Sequence, residues 1–155
     1  VLYFGDGPGQ WRNPVQGFDF SDLEHLELAQ GRTEQTRVEP AALSAPRQRI
    51  YTLDCQTDGE DSGRWSYEGE FVMARAGALM GFAGWFEAEL APGVVLDTGP
   101  SAPATHWAQT FLPLPPRPVT AGQRIAVTCT GGPDPDRNAR ISLTVDGEAR
   151  DFRLE

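Results

Sequence analysis

Lysine is absent from the 155 residues; all 13 basic side chains are arginine. Chemistry that needs an amine nucleophile or a Schiff base is therefore excluded, because a guanidinium stays protonated and does not add to carbonyls. Cysteine is nearly as scarce, and Cys55 and Cys129 stand far apart, so neither a metal knuckle nor a disulfide framework is indicated and a reduced, cytoplasmic setting is expected. Histidine is limited to His25 and His106, and His25 has only leucine or alanine at helical spacing, so no metal site is expected. No apolar run approaches about 18 residues, and the start lacks the basic-then-apolar order of a signal peptide. No membrane association is expected. A net charge of −9 without any basic stripe also argues against nucleic acid as a partner. It favours cationic substrates only weakly.

What the chain does hold is 39% hydrophobic residues, 17 glycines and 13 prolines, the profile of short strands joined by many turns. Its length suits one domain, residues 1–155. The opening "VLYFGDGPG" has the look of a nucleotide loop, but Pro14 and Gly17 spoil the helix that such a loop requires, so residues 5–9 read as a plain turn and no cofactor-binding residue is assigned. "SDLEHLELAQ" then predicts a helix, with Ser21 and Glu24 as a capping box and Leu23 and Leu26 on one face. A short helical arm is expected over residues 22–30.

Beyond Pro40 the periodicity is that of strands. "RQRIYTLD" at 47–54 and "WSYEGEFVMAR" read as β, and "GALMGFAGWFEAEL" places Met80, Phe82, Phe86 and Leu90 on one face with Trp85, Glu87 and Glu89 on the other. Gly81 and Gly84 predict a bend or a close backbone approach there. Asp146-Gly147 is the strongest hairpin signal, since both central residues of a type I′ turn take positive φ. The expected fold is mainly β, an antiparallel β-barrel or sandwich with the arm near its N-terminus.

In order along the chain, "NPVQGFDFSDL", "GFAGWFEAEL", "VVLDTGPSAPATHWAQTFLPL", "VTAGQRIAVTCTG" and "NARISLTV" resemble the C-terminal β-barrel domain of protein arginine methyltransferases, over residues 11–155. The specific element is Thr105-His106-Trp107, preceded by Thr98, Gly99 and Pro100 and followed by Gln109 and Thr110. The resemblance implies that this loop faces the active site of a separate cofactor domain. Trp107 would then wall the substrate guanidinium, as flat cations favour indole faces. His106 would hydrogen-bond an acidic residue of that other domain and aid proton removal, which makes it the candidate catalytic residue. Thr105 would orient the turn, and Pro100 and Pro103 would stiffen its approach. Asp97 departs from the family pattern, which commonly has a small hydroxyl residue there, and the segment 57–64 is unlike the usual turn.

The same resemblance implies S-adenosylmethionine for the complete enzyme, an arginine-containing peptide as substrate, a cofactor-binding domain in cis or in trans, and homodimer pairing through the arm. None of the cofactor machinery is found here: no helix-backed glycine loop is present, and Glu87 and Glu89 align with a barrel strand rather than with the paired glutamates of the cofactor domain. The chain alone is expected neither to bind the cofactor nor to methylate. The lack of an initiator methionine favours a fragment over a free-standing partner protein. Two other readings stand beside this one: a non-catalytic barrel that binds a ligand or a protein, and a lipocalin-type barrel, which would need a continuous apolar lumen.

Overall fold

The computed structural model describes residues 14, 16–29, 33–59, 63–133 and 139–154. The glycine turn at 5–9, Gln30 at the end of the expected arm, and the side chain of His25 lie outside the described residues. The arm helix α1 spans Ser21–Ala29. Its start is capped by Asp19, ahead of the expected Ser21: Ser21 N–H donates to Asp19 Oδ1 at 2.9 Å, and this bond holds the Asp19 carboxyl below its usual range. Leu28 is buried, whereas Leu23 and Leu26 are 36% and 59% exposed. The face predicted to be apolar is therefore turned outward.

Nine strands follow among the described residues: β1 Glu34–Thr36, β2 Trp65–Val72, β3 Gly77–Gly84, β4 Glu87–Ala91, β5 Val94–Asp97, β6 Gln109–Val119, β7 Arg124–Pro133, β8 Ala139–Val145 and β9 Glu148–Arg153. They form open sheets in the orders β1-β6-β3, β2-β7-β8-β9 and β4-β5. The fold is thus mainly β and antiparallel, as the alternation predicts. Two compact units are distinguished, one drawing on residues up to Leu43 with Met80–Pro116, the other on Ser44–Leu79 with residues from Arg117 onward.

The second unit contains the four-stranded sheet. Burial alternates along β2 and along β7 as far as Thr130, and Ile125, Val127, Cys129, Leu143, Val145 and Phe152 are buried. Asp146 and Gly147 take φ of 48° and 89° and close the β8–β9 hairpin as expected. Asp146 also accepts from Ala126 N–H at 2.9 Å and pairs with Arg117 at 3.0 Å, which ties that turn to β7 and to the end of β6. The expected strand at 47–54 is not one. That segment runs beside the sheet and contacts it through side chains, with Gln48 Nε2 donating to Glu70 O and Tyr51 stacked 6.3 Å from Trp65.

The long strand expected over 77–90 divides into β3 and β4. Gly81, at φ 155°, lies so close to β6 that a Cβ would stand 2.3 Å from the Leu112 carbonyl oxygen, the close approach its position suggests. The break at residues 85–86 shifts the alternation. Phe86 and Leu90 are consequently exposed and Trp85 is half-buried, contrary to the expected faces. Leu90 also sits at a register shift between Glu89 and Ala91, outside the β4–β5 ladder.

Candidate functional site

Strands β5 and β6 bracket the loop 98–108, and almost every turn of that loop is held by a named bond. Asp97 Oδ1 accepts from Gly99 N–H at 2.7 Å, an Asx turn of the kind a hydroxyl residue also makes. Ala102 N–H donates to Gly99 O at 3.0 Å, and Ala108 N–H donates to Thr105 O at 3.3 Å. The second of these closes a turn with His106 and Trp107 at its tip. Ala108 leaves it at φ 49°, a left-handed conformation that costs a residue with a Cβ about 1 kcal/mol.

His106 and Trp107 are both exposed, Trp107 to 43%. Their ring centroids are 3.9 Å apart with a 34° tilt, and the Phe86 ring meets Trp107 edge-on at 5.6 Å and 78°. Two of the three expected residues thus form one aromatic patch, with Phe86 as a third member. Thr105 behaves differently: its Oγ1 is buried without a partner among the described residues, and its carbonyl makes the turn.

Underneath lie Thr98 and Gln109, polar side chains exposed to only 1% and 6%. Thr98 Oγ1 donates to Phe86 O at 2.9 Å and accepts from Phe86 N–H at 3.2 Å. Gln109 Nε2 donates to Thr98 O at 2.6 Å, while its Oε1 accepts from Val38 N–H at 2.8 Å. Trp85 packs against the loop as well, its Nε1 2.7 Å from where a Cβ on Gly99 would stand. Thr98 and Gln109 are visible in the motif, but their supporting role is not; an isolated glutamine opening a strand after a turn is the only signal. Glu89 accepts from Gly93 N–H at 3.2 Å within the β4–β5 hairpin, in line with its structural reading.

The cavity behind the loop, lined by Arg37, Gly99, Thr105 and Gln109 among others, measures about 30 Å³, the space of roughly one water. A guanidinium does not fit there. A second cavity of about 230 Å³ lies at Trp65, Pro133, Arg140 and Ile141 and has no carboxylate among its described lining residues. Neither of these two cavities reaches the roughly 300 Å³ at which ligand pockets begin. No cluster of three His, Cys, Asp or Glu side chains occurs among the described residues, and none of the described helices is long and apolar enough to cross a membrane.

An antiparallel β domain with a helical arm is the architecture of the C-terminal half of arginine methyltransferases. A family model described as "Arginine methyltransferase oligomerization subdomain" matches residues 4–150, and the chain belongs to that family. It is similar to protein arginine N-methyltransferase 2 of Mus musculus, at 39% identity over 130 residues, covering 77% of this chain and 29% of the relative. It is also similar to protein arginine N-methyltransferase 1 of Chlamydomonas reinhardtii, at 28% identity over 103 residues, covering 64% and 29%. Among solved structures, a chain of the Trypanosoma brucei PRMT1 enzyme-prozyme heterotetrameric complex with AdoHcy matches with a TM-score of 0.80 and 28% identity, over 97% of this chain and 51% of that one. Arabidopsis thaliana protein arginine methyltransferase 10 shares the fold, with a TM-score of 0.68, 17% identity and coverage of 96% and 49%. The chain therefore spans less than a third of these curated relatives and about half of the solved ones.

Proposed function

We propose that this chain is the substrate-facing domain of an arginine methyltransferase, with residues 22–30 as its arm and a cofactor-binding domain joined to it in cis or in trans. The observation that carries this reading is the His106–Trp107 pair, in tilted ring contact and exposed at the tip of a loop whose backbone is bonded at both ends. Trp107 offers an indole to the substrate guanidinium, a contact worth about 0.5–2 kcal/mol. His106 meets a carboxylate of the partner domain and is the proton-handling candidate. Thr105 sets the turn that presents both. S-Adenosylmethionine supplies the methyl group when bound to the other domain; this chain's share is to bind and orient the arginine-containing peptide.

The exposed Phe18, Phe20, Leu23 and Leu26 favour self-association through the arm, in line with the family's description. Two free cysteines, one exposed and one buried, suit a reducing cytoplasm. The test is methyl transfer to an arginine peptide by the chain together with its cofactor-binding domain. Trp107→Ala is expected to lower kcat/KM about 3- to 30-fold, the range its contact energy allows. Unchanged kcat/KM would sink the reading.

A further inference from the structure

We infer that Gln109, acting through Thr98, is a positioning residue for Trp107, which rests on the proposed reading of the lip as a substrate wall. A buried carboxamide has two different ends, and here both are specified. Val38 N–H can only donate and Thr98 C=O can only accept, so Gln109 fits in a single orientation, with Oε1 toward Val38 and Nε2 toward Thr98. No other residue type supplies a donor and an acceptor at that reach without a charge.

Thr98 passes the constraint on. Its hydroxyl and its own N–H both bond the backbone of Phe86, at 2.9 and 3.2 Å through Oγ1 and at 3.1 Å through N. Phe86 is the ring against whose edge Trp107 rests. Trp107 itself is close to half exposed, so its ring contacts with Phe86 and His106 carry much of what fixes its orientation. The rigid part of the lip is the buried pair beneath it. Gln109 also stands two residues beyond Trp107 in the chain, so the same side chain anchors the exit of the turn. Removing it frees both the approach and the ring that backs the indole.

The experiment reads the four tryptophan indole N–H signals of the nitrogen-15-labelled chain, with those of Trp107 and Trp65 assigned from their Phe variants. In Gln109→Leu the Trp107 signal is expected to broaden and move toward the unstructured value, with the Trp65 signal unmoved. A Trp107 signal that stays in place overturns the proposal. If Gln109→Leu unfolds the chain and all four signals collapse, Thr98→Val decides in its stead: it keeps the side-chain shape but not the hydroxyl, and is expected to move Trp107, while Thr98→Ser restores it. A folded Thr98→Val chain with an unmoved Trp107 signal likewise overturns it. These readings are independent of methyl transfer. Should Trp107 move as expected while Trp107→Ala leaves the assembled enzyme fully active, the positioning role stands and the substrate-wall reading falls.

Discussion

At the scale of single residues, the contrast between the two cysteines shows how environment divides like side chains. Cys129 lies between Tyr67 on β2 and Leu143 on β8 in the ladder, and burial pushes its thiol from 9.0 up to about 11. The folded state thus keeps this proton longer than the unfolded chain does. The group's contribution to stability is intact below pH 9 and is lost as pH rises from 9 through 11. Cys55 is exposed. A thiol reagent at pH 8 is therefore expected to modify one cysteine in the native protein and two after denaturation; equal labelling rates for both in the native state would contradict this burial. Ala108 is another residue whose role comes from its surroundings. Its alanine side chain disguises a left-handed backbone position that a glycine would have announced.

Among the elements, legibility followed local chemistry. The β8–β9 hairpin could be read from Asp146-Gly147 because a two-residue turn states its own φ requirement, and Gly81 announced a close approach because nothing larger fits beside the Leu112 carbonyl. The segment 47–54 failed for the opposite reason: β propensity describes a surface that pairs well, but whether a partner edge is free depends on the fold. The faces of "GFAGWFEAEL" failed because a break at residues 85–86 interrupts the strand and a register shift between Glu89 and Ala91 takes Leu90 out of the ladder. The lip residues themselves were visible through resemblance, but Phe86 as its third ring and Gln109 as its anchor depend on contacts between strands distant in sequence. Sheet packing offers its own test at Gly131. A Cβ there would stand 2.2 Å from Trp65 Cζ2, so Gly131→Ala is expected to destabilise the four-stranded sheet by about 1–3 kcal/mol through overpacking, seen as a lower urea midpoint. An unchanged midpoint would mean that the indole is free to move aside.

At the scale of the whole molecule, the chain matches about half of each solved relative's chain. It presents apolar side chains where a monomeric domain would hide them: Phe18 and Leu26 on and before the arm, Leu90, Val94 and Val95 on the β4–β5 hairpin. Pairing through the arm predicts that the chain with its cofactor-binding domain sediments as a dimer and that Leu26→Glu sediments as a monomer. A dimer that persists in this variant would place the pairing elsewhere.

The central claim is that Trp107 meets the positive charge of an arginine side chain. It is tested most directly by following the Trp107 indole signal while the assembled protein is titrated with an arginine peptide and, separately, with the same peptide carrying citrulline, which keeps the shape and removes the charge. The arginine peptide is expected to move the signal, with the citrulline peptide leaving it near its starting position; equal responses to the two, or none from Trp107 while methyl transfer proceeds, would contradict the account.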